Sequence, residues 1–202
     1  MSLPAAQAYE VRWAPELRIA NPPPSLLVKY TRKEKDFFYD YANFVLKVVE
    51  DHAISTRICE ILSRESVRIN GPIDIRVMVF PARSFRGQAN RMLHGSYNST
   101  ASQISLYPLR IPRDWIKREG YDLFGQPYAD LSLKRRNLLN EISATAVSTL
   151  LHEIFHAKLG PREMGRYVEE RIVKKMEEDY MKGWDITIVT AVQRTLSETQ
   201  SA

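Results

Sequence analysis

The chain has 202 residues, of which 44% are hydrophobic and 26% are charged, a composition typical of an ordinary globular domain. No run of apolar residues approaches the roughly 18 that a membrane-spanning helix needs, so we expect no membrane partner. The formal net charge of +5 comes from basic residues interleaved with acidic ones along most of the chain, which favours a mixed solvated surface over a nucleic-acid partner.

The N-terminal sequence and the cysteine content indicate the cellular compartment. Residues 1–13 have neither the basic start nor the apolar stretch that is typical of a secretory signal. The single cysteine, Cys59, has no partner for a disulfide within the chain, which agrees with a reducing compartment. We therefore expect the protein to be cytoplasmic.

Two regions differ in pattern. Residues 1–25 carry scattered apolar residues without a sustained period and end near a run of prolines, so we predict an N-terminal arm or linker. A single domain is predicted over residues 26–202. Apolar residues spaced three or four apart predict helices there, and alternating β-branched residues predict strands. In chain order, the predicted elements are a helix from about residue 33, a helix over 53–64, strands over 73–80 and 103–107 with a loop over 81–102 between them, a loop over 108–130, a long helix over 130–159, a helix over 162–181 and a last amphipathic helix over 184–196.

The long predicted helix contains an H-E-x-x-H pattern, from His152 to His156. Residues four apart lie on one face of a helix, so both imidazoles can reach the same metal ion. Neutral imidazole is a good ligand for Zn²⁺, and Glu153 can reach a water molecule that the metal activates. The pattern predicts a zinc metallopeptidase with His152 and His156 as ligands and Glu153 as the general base. The competing interpretation is a pair of ordinary buried histidines.

A catalytic zinc site needs a third protein ligand. No histidine follows His156, so we expect the third ligand to be an acid on the next predicted helix. Glu169 lies in the apolar stripe of that helix, beside Ile172 and Val173, where a carboxylate without a partner would be costly. Glu169 is the predicted ligand and Glu170 is the alternative, because the rotation of the helix is uncertain. A partly buried acid paired with a basic residue is the competing interpretation of Glu169.

Three short stretches resemble the gluzincin branch of the zincin metallopeptidases, in particular its minimal single-domain members. Residues 152–160 (HEIFHAKLG) are similar to the zinc helix, and residues 169–176 (EERIVKKM) to the helix that supplies the third ligand. Residues 95–108 (GSYNSTASQISLYP) are similar to the edge strand of the active-site cleft. The resemblance implies an α+β, zincin-like fold, in which a small mixed β-sheet lies over a long active-site helix, with additional N- and C-terminal helices.

The resemblance also implies a peptide or protein substrate, bound in extended form against the edge strand. Ile104, Ser105 and Leu106 would then pair with the substrate backbone. A side chain that stabilises the oxyanion is expected as well. Tyr180, on the third-ligand helix, and Tyr97, in the loop beside the cleft, are the candidates, with a plain packing or loop role as the competing interpretation of each.

The sequence differs from the large gluzincins just after the third ligand. Large gluzincins carry an acid or amide there, which supports the first zinc histidine. Val173 and Lys174 occupy the neighbouring positions here, and Glu177 is predicted to point away from the site. No partner is therefore predicted for His152.

The alternative to a general endopeptidase is a protease with a single protein target. From another functional class, the alternative is a non-catalytic or latent zinc-binding module for protein interaction, whose cleft is covered. Residues 1–25 and 184–202 are the segments that could cover it.

Overall fold

The computed structural model describes residues 15–65, 73–83, 92–159 and 165–199. Within these ranges the chain is an α+β protein. The strands are β1 (Glu16–Ala20), β2 (Asp74–Met78), β3 (Ala82–Arg83), β4 (Met92–Leu93), β5 (Gly95–Asn98) and β6 (Gln103–Leu106). The helices are α1 (Pro24–Leu27), α2 (Arg32–Glu50), α3 (His52–Arg64), α4 (Arg113–Glu119), α5 (Leu133–Leu159), α6 (Arg166–Tyr180) and α7 (Asp185–Thr199). No helix in the described part of the chain has the length and apolar character to cross a membrane.

Four strands form a mixed sheet in the order β1-β2-β6-β5. Strand β2 pairs in parallel with β1 on one side and with β6 on the other. Strand β5 pairs with β6 in the antiparallel sense, with Gly95 opposite Leu106 and Tyr97 opposite Ile104. Strands β3 and β4 form a separate two-stranded ribbon. The sheet is thus parallel except at the β5 edge, and among the described residues no strand pairs with the outer side of β5.

This order corrects the prediction that Ile104, Ser105 and Leu106 form an edge strand. They lie in β6, whose backbone is already paired with β2 and β5. All three residues are buried, as expected of a strand covered on both faces. The edge position belongs to β5, which lies within the stretch 95–108 that resembles an edge strand but whose composition predicts a loop, because Gly, Ser and Asn are poor strand formers.

The predicted N-terminal arm overlaps the sheet. Strand β1 pairs with β2 over five residues, and Arg18 donates two hydrogen bonds to Asp74 at 3.0 and 2.7 Å. Helix α1 follows and spans the predicted boundary at residue 25. Residues 1–14 of the predicted arm lie outside the described residues. The described part of the segment therefore contributes a strand to the domain.

Helix α5 lies at the centre of the fold, where it contacts α2, α6, α7, β5 and β6. At its start, the Ser132 hydroxyl accepts a hydrogen bond from the Arg135 amide at 3.4 Å. Helix α7 packs against α2, α3 and α5 and buries Ile188, Val192 and Leu196. Most of the segment 184–202 is therefore part of the core. Helix α4 lies in a region that was predicted to be a loop.

Candidate metal centre

His152 and His156 lie one turn apart on α5, and their rings meet edge to face with an angle of 65° between the ring planes. Their Nε2 atoms are 3.1 Å apart, and the ring centroids are separated by 4.9 Å. The Oε2 atom of Glu170, from α6, is 3.5 Å from the Nε2 of His152 and 3.7 Å from the Nε2 of His156. Three potential ligand atoms from two helices therefore point toward one position.

The spacing of these atoms fits a zinc ion. Atoms that bind one zinc ion at about 2.0–2.1 Å with tetrahedral angles lie about 3.3 Å apart, close to the separations of 3.1, 3.5 and 3.7 Å found here. Two imidazoles and one carboxylate are also a donor set of catalytic zinc sites. Within the described residues, His152, His156 and Glu170 are the group of histidine and acidic side chains that could hold a metal ion.

The structure places Glu169 differently from the prediction. Its carboxylate lies 2.6 Å from the Nδ1 of His156, on the opposite side of the ring from the converging Nε2 atoms. Val168, the apolar residue next to Glu169, is 40% exposed in the structure, so this side of α6 faces away from the core. The helix is rotated so that Glu170 and the fully buried Val173 face α5. Glu170, the alternative, thereby takes the position predicted for Glu169.

Glu177 is the partner of His152, for which the sequence predicts none. Its Oε2 atom lies 2.8 Å from the Nδ1 of His152, and its Oε1 accepts a hydrogen bond from the hydroxyl of Ser148. Burial raises the pKa of Glu177, but the hydrogen bonds from His152 and Ser148 outweigh it and leave the pKa lowered. Glu177 is therefore an ionised acceptor, which corrects the prediction that it points away from the site.

The two outer carboxylates determine which nitrogen of each imidazole carries the hydrogen. An ionised carboxylate only accepts hydrogen bonds, so Nδ1 of His152 donates to Glu177 and Nδ1 of His156 donates to Glu169. The Nε2 lone pairs are then left for a metal ion. Burial lowers the pKa of His152, but the hydrogen bond to Glu177 and the surrounding negative charges outweigh burial and leave the pKa raised.

Glu153 is buried beside this cluster, with 7% of its surface exposed. Burial raises the pKa of its carboxyl, against the opposing effects of His152, His156 and a hydrogen bond from the backbone amide of Tyr97. A raised pKa brings a carboxylate closer to the range in which it can take and return a proton near neutral pH. Glu153 thus combines a position next to the potential metal ligands with a carboxyl pKa that burial raises.

Gly95 allows β5 to lie directly against α5 at this point. A Cβ atom on Gly95 would be 2.3 Å from Cγ2 of Thr149 and 2.8 Å from Oε1 of Glu153, closer than non-bonded atoms can come. The absence of a side chain at Gly95 therefore brings the backbone of the edge strand into contact with Glu153.

The two candidate oxyanion stabilisers lie in different surroundings. The Tyr180 hydroxyl donates to Glu65, which also accepts a hydrogen bond from Lys158 at 2.5 Å. Burial and this contact raise the pKa of Tyr180 to about 12. The hydroxyl is therefore engaged in a contact between helices, which favours the packing interpretation. Tyr97 contacts Glu153 through its backbone amide, and an oxyanion role for its side chain stays a prediction.

One sequence signal could have identified Glu177. Glu170, Val173 and Glu177 follow one another at spacings of three and four, so they lie on one face of α6. A buried valine between two acids marks that face as the one turned toward α5. Ser148 precedes His152 by four residues, which places its hydroxyl next to the same histidine.

No family model, curated protein or solved structure matches this chain. The functional interpretation therefore depends on the geometry of the chain itself.

Proposed function

We propose that the protein is a zinc-dependent metallopeptidase in which His152, His156 and Glu170 hold the metal and Glu153 is the general base. The observation that carries the proposal is the convergence of the two Nε2 atoms and the Glu170 carboxylate at zinc-ligand spacing. The buried Glu153 lies one residue from His152 and beside the edge strand. The arrangement of α5, α6 and β5 also supports a zincin-like fold of the gluzincin type.

The residues divide the chemistry among them. Zn²⁺ at this site would polarise the scissile carbonyl and lower the pKa of the attacking water. Glu153 would take a proton from that water and return it to the leaving amine. Glu169 and Glu177 hold the imidazoles of His156 and His152 with their Nε2 atoms turned inward.

The open side of β5 offers a place for an extended peptide. The amide of Tyr97 is directed at Glu153, away from β6. In an antiparallel strand the N–H and C=O of one residue point to the same side, so the carbonyl of Tyr97 is also directed away from β6. A substrate amide could bind this carbonyl and add a strand to the sheet next to the general base. This replaces the pairing predicted for Ile104, Ser105 and Leu106.

Metal analysis of purified protein tests the ligand set. We expect about one zinc per chain in the wild type, loss of zinc in Glu170→Ala, and retained but weaker binding in Glu169→Ala, because outer partners of metal ligands typically contribute 10- to 100-fold in affinity. Loss of zinc in Glu169→Ala with full retention in Glu170→Ala would show that Glu169 is the third ligand, as the sequence predicts. A wild type that takes up no zinc from supplemented buffer would rule out the metallopeptidase.

The Glu153→Gln variant tests the chemistry separately from metal binding. It should keep its zinc and lose peptide hydrolysis by about 10²- to 10⁴-fold, the usual contribution of a general base. Casein and a mixed peptide library are suitable substrates. A zinc-loaded wild type that cleaves neither would favour the single-target protease or the non-catalytic module, and wild-type rates in Glu153→Gln would contradict the mechanism.

A further inference from the structure

The contact between Ser148 and Glu177 lies outside the proposed ligand set but acts directly on it. Ser148 and His152 are four residues apart on α5, so their side chains lie next to each other on one face. The carboxylate of Glu177 bridges them, with Oε1 at the Ser148 hydroxyl and Oε2 at Nδ1 of His152, 2.8 Å away. Each carboxylate oxygen therefore has its own donor on α5.

We propose that Ser148 is a positioning residue for the metal site, whose hydroxyl holds Glu177 in the orientation in which it accepts the Nδ1 hydrogen of His152. The inference rests on the proposed function, since it concerns the same metal site. Ser148 acts on the metal only through Glu177 and His152, so it is neither a ligand nor a catalytic residue.

The Glu177 carboxylate needs such a restraint because other orientations are open to it. Glutamate has three rotatable side-chain bonds, and the side chain of Glu177 is 22% exposed. Lys174, one turn earlier on α6, attracts the same carboxylate. The Ser148 hydroxyl opposes rotation toward Lys174 or solvent because it binds the second oxygen from the α5 side. A fixed carboxylate in turn fixes the ring of His152 with Nε2 facing His156.

The same helix provides a matched control. Ser143 is fully buried, and its hydroxyl donates to the carbonyl of Leu139 at 2.9 Å. Changing Ser143 to alanine removes a hydroxyl from α5 without touching Glu177. The conservative variant Ser148→Thr keeps a hydroxyl at the position that the inference concerns.

The experiment measures the zinc dissociation constant of the full chain by competition with a chelating dye, which requires no substrate. We expect about tenfold weaker binding in Ser148→Ala, the lower end of the range for outer partners of metal ligands. Ser143→Ala should stay within about twofold of wild type, and Ser148→Thr should recover most of the lost affinity. The double variant Ser148→Ala/Glu177→Gln should bind no more weakly than Glu177→Gln alone, because the hydroxyl acts through that carboxylate.

The possible failures are distinguishable. Wild-type affinity in Ser148→Ala, together with weakened binding in Glu177→Gln, would overturn this inference and leave the proposed function intact. Equal losses in Ser148→Ala and Ser143→Ala would also overturn it, since the effect would then belong to the helix. A wild type that binds no zinc would overturn the proposed function and this inference together.

Discussion

Gly95 shows how one residue sets the distance between two elements. Strand β5 approaches α5 so closely that any Cβ at this position would overlap Thr149 and Glu153. The glycine is thus required for close approach, and the structure does not place it at a positive φ. The contact brings the open edge of the sheet and the general base of the proposed mechanism together.

We expect Gly95→Ala to reduce peptidase activity strongly, because the strand or the Glu153 carboxylate must move to make room for the methyl group. Overpacking of this kind costs about 1–3 kcal/mol of folding free energy, which urea denaturation can measure. Gly125→Ala is the matched control, since a Cβ there meets no atom within 4 Å. Wild-type activity and stability in Gly95→Ala would contradict the close contact.

At the residue scale, the sequence was most informative where one helix decides the geometry. His152 and His156 converge because a spacing of four on a single helix fixes their relation. The choice between Glu169 and Glu170 depends on the rotation of α6 about its own axis. That rotation is set by packing between helices, and adjacent residues differ by about 100° around a helix. The apolar stripe alone was therefore too coarse to decide between them.

A polar contact among three helices positions α6 at its C-terminal end. Glu65 follows the last residue of α3 and accepts hydrogen bonds from Lys158 of α5 and Tyr180 of α6. The hydrogen bonds from Lys158 and Tyr180 hold the pKa of Glu65 below its ordinary value of 4.5. The end of α6 is thus attached to α5 by a group that loses its charge in acid.

This contact predicts a pH dependence of stability. Because the pKa of Glu65 is lowered in the folded state, its contribution is fully present above the ordinary pKa of 4.5 and is lost as pH falls through the lowered value. Glu65→Gln should therefore flatten the decline of unfolding free energy as pH falls below about 4.5, by up to about 1 kcal/mol for this partly exposed group. Urea midpoints across this range measure the effect. Identical slopes in the wild type and in Glu65→Gln would count against the contact.

At the element scale, periodicity located the long helices, and it failed for short, polar segments. Helices α2, α3, α5, α6 and α7 were predicted near their observed positions. Strand β5 was missed because its four residues carry no alternation of apolar and polar side chains. What makes it a strand is its partner β6, a tertiary interaction that a local pattern does not contain. The prediction of an edge strand consequently fell on β6, which has the stronger pattern.

Considered as a whole, the molecule assembles the candidate site from segments far apart in sequence. Helix α5 supplies His152, Glu153 and His156, α6 supplies three carboxylates, and β5 supplies the adjoining backbone edge. Helix α7 packs against α2, α3 and α5. The resemblance implied the general α+β class, and the mixture of helices and strands confirms it, whereas the strand order depends on pairings between distant segments.

The docking of α6 has a thermodynamic consequence. Among the described side chains of α6, only Val173 is fully buried. The helix turns three acids toward α5, where a fourth acid, Glu153, lies. A metal ion bound by Glu170 of α6 and the two histidines of α5 would add an attachment between these helices, so ion binding and helix docking would be one linked equilibrium. In hydrogen exchange, the α6 amides should exchange faster than those of α5 in zinc-free protein and slow down when zinc is added. Equal protection of α6 with and without zinc would show that the helix docks independently.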